Sequence, residues 1–301
     1  MRLGVSLAQT GRLADPASVR SAATAAEQVG YASVWVHDRL DGGRPGDASL
    51  DPLCALTYAA AVTSRVRLGT SVLVAPWYRP ALLARSLASL DVLSDGRLTI
   101  GLGLDATPAE LAAAGVDDAE LGRRLDDALD VLGRTWDPST DGRGAGRPRP
   151  PILLAASTPE GLDRVARRAD GWNPAGIPID QLAPLWARVR DLAARHGRDP
   201  DALELVVRAD LHITDQPLEG DRPAYAGTVE QVAADVADTG RAGAHETILC
   251  LQGDHGLDTA LDVYARIAEA VDVTPSPPQA GHGAALPAGL PARRERRLAP
   301  R

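Results

Sequence analysis

The sequence predicts an α/β chain folded as a single (β/α)8 barrel, and three observations carry that expectation. Eight short apolar runs alternate with helical patterns. Most of the runs are near-continuous in apolar residues, as strands covered on both faces are. The helices between them open on clear start signals, and a chain of 301 residues accommodates a barrel, which takes about 250. A doubly wound sheet shares the same alternation, because closure is not written in a strand pattern.

The strand runs are "RLGVSLA" (2–8), "ASVWVH" (32–37), "VRLGTSVLV" (66–74), "RLTIGLG" (97–103), "PILLAAS" (151–157), "GWNPA" (171–175), "LELVVRADLHI" (203–213) and "ETILCLQ" (246–252). Asp15-Pro16 opens the first helix, with Val19, Ala22, Ala23, Ala26 and Val29 at helical spacing before Gly30 stops it. Asp51-Pro52, Thr158-Pro159, Ile177-Pro178 and Thr228 open others. Two regions break the repeat. The Gly-, Pro- and Arg-rich stretch 137–151 reads as a surface loop. From Asp272 onward the chain has no periodicity, so a barrel domain over 1–271 and a disordered tail over 272–301 are expected.

Composition narrows the function. The formal charge is −8, and no basic stripe interleaved with aromatics precedes the tail, which points to a small-molecule substrate and away from nucleic acid. No run approaches the roughly 18 apolar residues of a membrane helix, so a cytoplasmic protein with no membrane association is expected. Cys54 and Cys250 lack metal or disulfide spacing and read as two buried thiols. There is no lysine, and all 32 basic residues are arginine. Schiff-base chemistry and the phosphate-binding lysine of a P-loop are thereby excluded.

In a barrel, function sits at the C-terminal ends of the strands. Those ends carry Ser6 and Gln9; His37, Asp38 and Arg39; Ser71 and Val72; Leu104 and Asp105; Ser157 and Thr158; Trp172 and Asn173; Asp210 and His212; and Gln252. The set is polar but not metal-like, and no metal is expected; Asp210 and His212, two apart, read as a hydrogen-bonded pair. His37, on an extended strand, is expected to point away from Asp38 and pack. "GLGLDA" (101–106) fits the dinucleotide fingerprint, but at the fourth unit it reads better as a barrel strand whose glycines, Gly103 included, leave room above the site. "AASTPEGL" (155–162) leads a strand end through Ser157 and Thr158 into a helix. That is either an anion site or an ordinary helix cap. In "LGTSVLVAP" (68–76), three small residues stand where bulky packing is expected, which asks what needs the room.

Four collinear blocks carry a resemblance: "GYASVWVHDRL", "LGTSVLVAPWYRPALLARSLASLDVLSDGRLTIGLG", "PPILLAASTPEGLDRVARRADGWNP" and "YAGTVEQVAADVADTGRAGAHETIL". Together they resemble the luciferase-like monooxygenase superfamily, in particular its branch that uses the deazaflavin coenzyme F-420, over most of residues 1–271. The resemblance implies a TIM barrel of the bacterial-luciferase-like type. It also implies a non-prolyl cis peptide after the third strand, between Ser71 and Val72, that supports the cofactor ring, and a phosphate turn at Ser157 and Thr158. Gly103, Asp105 and Trp172 join these as expected cofactor contacts. Asp38 is expected to provide or orient a proton partner, with Arg39 holding an anionic group.

Departures accompany the likeness. Sugar-phosphate dehydrogenases of the family carry a histidine where this chain has Arg39, which cannot act as a general base. "LDATPAEL" (104–111) replaces an aromatic-containing turn. The expected function is hydride transfer between coenzyme F-420 and a small organic substrate. The alternatives are an FMN-dependent monooxygenase served by a flavin or F-420 reductase, and a non-catalytic barrel with a degraded cofactor site. The resemblance also implies a homodimer.

Overall fold

The computed structural model describes residues 1–40, 48–137 and 148–271. The tail 272–301 and most of the loop 137–151 lie outside the described residues. Strands and helices alternate as β1 (Arg2–Ser6), α1 (Pro16–Val29), β2 (Ser33–Val36), α2 (Pro52–Val62), β3 (Arg67–Thr70), β4 (Leu73–Val74), α3 (Pro80–Leu93), β5 (Leu98–Gly103), α4 (Pro108–Ala114) and α5 (Leu121–Thr135). The second half continues with β6 (Ile152–Leu154), α6 (Pro159–Arg168), β7 (Gly171–Trp172), α7 (Ile179–Arg195), β8 (Glu204–Ile213), β9 (Ala226–Gly227), α8 (Val229–Arg241), β10 (Glu246–Leu251) and α9 (Leu257–Val271).

The helices start where the sequence signals them. Asp15 accepts from the Ala17 and Ser18 N–H groups, Asp51 from Cys54 and Thr158 from Gly161, and a proline follows each cap. Thr107 with Glu110 and Thr228 with Gln231 form reciprocal capping boxes. Val29, placed on the buried face of α1 by its spacing, is 58% exposed because the helix is by then leaving the barrel wall at Gly30. Cys250 is buried, but Cys54 lies in the first turn of α2 and is exposed, so only one of the two thiols is in the core.

The pairings between these strands are parallel, and β10 pairs with both β1 and β8, which closes the sheet. Closure settles the choice between barrel and doubly wound sheet. β9 is a short addition to the end of β8 that the sequence pattern does not announce. The described residues contain no helix long and apolar enough to cross a membrane.

Side chains of period two fill the barrel in layers. At the N-terminal end, the fully buried Glu246 carboxylate meets Arg2, Arg67, the Ser33 hydroxyl and the Trp35 indole N–H. Burial alone would raise the Glu246 carboxyl, but Arg67, Ser33 and Arg2 outweigh it and hold it below the usual range. Above this layer Trp35, Leu153, Val206 and Ile248 form an apolar plug. Two residues further along the same strands stand His37, Arg208 and Cys250, so the next layer is polar.

The third strand answers the question of the small residues. Its partners on β5 run Leu68 to Leu98 and Gly69 to Thr99, an offset of 30, then Leu73 to Leu102 and Val74 to Gly103, an offset of 29. One extra residue is therefore accommodated between β3 and β4, and the intervening Ser71–Val72 peptide bond is cis. Each small residue there has a separate task. A Cβ on Gly69 would lie 2.2 Å from the Trp35 ring, so glycine admits the indole of the plug. Thr70, fully buried, bridges the gap in the ladder: its hydroxyl accepts from the Gly101 N–H and donates to the Gly101 carbonyl, both at 2.8 Å. Ser71 donates its hydroxyl to Asn173 Oδ1 at 2.9 Å.

Thr70→Val keeps the shape but leaves both buried Gly101 groups unpaired, and should cost about 2–6 kcal/mol at roughly 1–3 kcal/mol for each group. Thr70→Ser, which keeps the hydroxyl, should stay within about 1 kcal/mol of the parent. Urea denaturation of the three proteins checks this, and equal midpoints for the valine and serine variants would refute the bridging role.

Candidate active site

The C-terminal ends of the strands open into one cavity of about 1010 Å³, large enough for a tricyclic cofactor and a small second molecule. Asp38, Arg39, Ser71, Val72, Asp105, Ser157 and Thr158 all line it. Two of the expected contacts do not. Trp172 is fully buried, its indole N–H donating to the Ala156 carbonyl at 2.9 Å, so it props the β6 end from beneath. Gly103 lies under Val72: a Cβ there would meet Val72 Cγ2 at 2.6 Å. Its role is to let the Val72 side chain lie flat against β5 below the cavity.

The bulge is held from two sides. Beyond the Ser71–Asn173 hydrogen bond, Asn173 donates to the Val206 carbonyl at 2.7 Å, and Arg208 Nη1 donates to the Ser71 carbonyl at 3.1 Å. Arg208 also donates through Nε to Asp210 at 2.8 Å, and Gln252 donates to the same Asp210 oxygen at 2.9 Å. Asp210 is thus partnered by Arg208 and Gln252, while His212, the neighbour expected from spacing, is exposed.

Asp38 is 6% exposed and accepts from the Val74 N–H at 3.1 Å and the Tyr78 hydroxyl at 2.9 Å. Burial pushes its carboxyl up to about 6; the two hydrogen bonds oppose the rise, and Asp51 and Glu110 add to it. Burial, with Asp38 beside it, raises the Tyr78 phenol as well, so Tyr78 stays protonated and donates. Asp38 is the titrating member of the pair.

Arg39 is not a free cation. It meets Asp105 at 3.2 Å and Glu110 at 3.4 Å, and Glu110, 4% exposed, also accepts from the Leu40 and Thr107 N–H groups. Burial works against the charged Glu110, but these donors outweigh it and keep the carboxyl below its usual range. The residues around Glu110 therefore tie the end of the second unit to the start of α4.

His37 departs most from expectation. Its peptide is clamped by Gln9, which donates to the His37 carbonyl at 2.8 Å and accepts from its N–H at 2.9 Å. The ring lines the cavity rather than packing outside it. Burial, reinforced by the charges of Arg208 and Arg39, pushes its pKa down to about 3.

At the far end of the cavity, Thr158 accepts from the Gly161 N–H at 3.1 Å, so that hydroxyl caps α6. The Ser157 hydroxyl makes no hydrogen bond among the described residues. Arg164 donates to Asp126 at 2.9 Å and Glu160 at 3.4 Å. Acids outnumber arginines in the lining, and each arginine there already has a carboxylate partner.

Sequence reasoning passed over Tyr78, Glu110 and Arg208 as site groups. The T-x-x-E spacing of Thr107 and Glu110 was available as a capping signal, and Arg208 is the one charge inside "LVVRA", two residues from a core valine. Tyr78 carried no local signal.

The family description "luciferase-like monooxygenase" matches residues 1–248. A 4-hydroxyprotoasukamycin monooxygenase of Streptomyces nodosus subsp. asukaensis is 30% identical over 212 residues, 63% of this chain; the chain spans 57% of that protein's length. Among solved structures, a monooxygenase from Streptomyces bottropensis superposes with a TM-score of 0.74 at 24% identity, covering 90% of this chain and 98% of the other. An F-420-dependent secondary alcohol dehydrogenase in complex with an F-420–acetone adduct gives 0.72 at 16% identity, with the same coverages. At those identities the structural likeness concerns the fold. With the closed barrel, the bulge after its third strand and a match over most of the chain, the protein belongs to the luciferase-like monooxygenase family.

Proposed function

We propose that the chain is an oxidoreductase that binds coenzyme F-420 in this cavity and passes a hydride between the cofactor and a small organic substrate. The observation that carries the reading is the bulge at Ser71 and Val72, facing the cavity and fixed by Asn173 and Arg208. The residues fit the group. Val72, lying over Gly101 and Gly103, offers a flat apolar seat for a planar ring. The Ser157 hydroxyl and the Glu160 N–H in the first turn of α6 would hold a phosphate.

When bound, the deazaflavin supplies a ring carbon that gives or takes the hydride. The chain orients, excludes water and manages a proton. Asp38, with a carboxyl near neutrality and a Tyr78 donor behind it, can hold or release a proton at its own oxygen around physiological pH. Leu104, Leu154 and Val74 wall the cavity with apolar surface. Arg39, tied to Asp105 and Glu110, shapes the rim rather than holding a substrate anion.

A second reading, an FMN-dependent monooxygenase supplied by a reductase partner, is favoured by the sequence likeness to the 4-hydroxyprotoasukamycin monooxygenase. Titration of the cofactor-free protein separates the two. Saturable quenching of F-420 fluorescence with little FMN binding is expected; the reverse preference supports the monooxygenase, and failure of both rejects the cofactor site.

Asp38→Asn should leave F-420 affinity unchanged and lower turnover by about 10²- to 10⁴-fold, the usual span for loss of a proton-transfer group. Unchanged turnover in steady-state assays would remove Asp38 from the chemistry. The same variant has a stability signature. Because the folded-state carboxyl is raised from 3.8 to about 6, its favourable contribution is full below the unfolded value and fades as pH rises through the folded one. Asp38→Asn cannot ionise, so it should gain on the parent between about pH 4 and about pH 6, by at most about 3 kcal/mol, and keep that gain at higher pH. Thermal melts across that range provide the check, and a constant difference would contradict the raised carboxyl.

A further inference from the structure

The polar layer above the apolar plug contains two groups that the proton chemistry of Asp38 does not use. His37 and Arg208 both line the cavity, and the Arg208 charge acts on the His37 ring. The His37 ring makes no hydrogen bond among the described residues, while the Gln9 clamp on its peptide fixes where the ring stands. Arg208 has five N–H donors. One goes to Asp210, one to the Ser71 carbonyl and one to the Cys250 sulfur, which leaves two on a residue that lines the cavity.

We infer that the His37 ring and the remaining N–H groups of Arg208 form a donor pair that receives the oxygen of an uncharged carbonyl or alcohol substrate. The inference rests on the oxidoreductase reading of the cavity and adds the substrate class. Its chemistry follows from the state of each group. A neutral imidazole has one N–H and one bare nitrogen, so it can donate to a carbonyl oxygen and accept from the corresponding alcohol. That suits both members of a ketone–alcohol pair, whichever direction the reaction runs. Arg208 donates to the oxygen in either case.

Charge selects against anions. Asp210 balances the Arg208 charge at 2.8 Å, and His37 contributes none at neutral pH. The floor of the cavity is therefore close to neutral, and the lining beyond it carries Asp105, Asp118, Asp126, Asp127 and Glu160. A buried carboxylate substrate would find no uncompensated cation, and an unpaired buried charge is costly. An uncharged oxygen needs only the two donors.

The test uses the full chain labelled with [15N]histidine, whose six histidines give few ring signals, with His37 identified by its loss in His37→Gln. Cyclohexanone and cyclohexanecarboxylate are the probes. Cyclohexanone should move the His37 ring signals saturably, and the carboxylate should not at equal concentration. By saturation-transfer NMR, His37→Leu and Arg208→Lys should each weaken cyclohexanone binding by about fivefold to tenfold, as loss of one hydrogen bond does. The remaining histidine signals report whether each variant is folded.

Because the pair is preformed, the shift is expected with and without bound F-420. A chain that binds neither F-420 nor FMN but still shows the shift keeps the donor pair and loses only the cofactor reading. Cyclohexanone binding that leaves His37 unmoved, absence of cyclohexanone binding, or an equal response to the carboxylate would overturn the inference.

Discussion

The peptide at Ser71 is gripped from two directions, its hydroxyl by Asn173 on the sixth barrel strand and its carbonyl by Arg208 on the seventh, and the cavity is organised around that grip. Everything adjacent makes space for it or repairs what it interrupts. Thr70 supplies with one hydroxyl the two hydrogen bonds that the displaced backbone cannot give Gly101. Gly101 and Gly103 withdraw their side chains so that the bulge can lie against β5; a Cβ on Gly101 would stand 1.9 Å from the Thr70 carbonyl. Small residues in this barrel strand mark the place where the backbone of the bulge comes close to β5.

The interior layering explains how polar groups can stand in the middle of a barrel. Glu246 below the plug is a fully buried charge and Arg208 above it a half-buried one, and each is matched by opposite charge and by hydrogen bonds. Between them Trp35, Leu153, Val206 and Ile248 separate the two polar layers. The lower one serves folding, since each of its groups is taken up by another group of the barrel, Arg2 by Glu246 and Glu204 and Glu246 by Arg67, Ser33 and the Trp35 indole. The upper one leaves His37 and part of Arg208 with hydrogen-bonding capacity turned toward the cavity. That difference in satisfaction distinguishes a structural polar cluster from a binding surface.

Much of this was legible in the sequence. The eight strand runs and the proline-opened helices follow from local rules that tertiary structure did not override. What escaped depends on three-dimensional pairing. Arg39 looked free until Asp105 and Glu110, more than sixty residues away, were brought beside it. Trp172 ends a strand, yet its indole turns beneath the β6 end rather than into the cavity. Adjacent residues of an extended strand face opposite ways, and the local sequence does not say which of His37 and Asp38 faces the cavity. The layer order fixes the parity: Trp35 fills the plug, so His37 faces the cavity and Asp38 reaches Tyr78 and Val74 at its edge.

A crystal structure of the chain soaked with coenzyme F-420 bears most directly on the claim that the bulge is a cofactor seat. The account predicts ring density packed on Val72, with the phosphate near Ser157 and the start of α6. Density for the cofactor elsewhere on the barrel, with the surface above Val72 left bare, would contradict it.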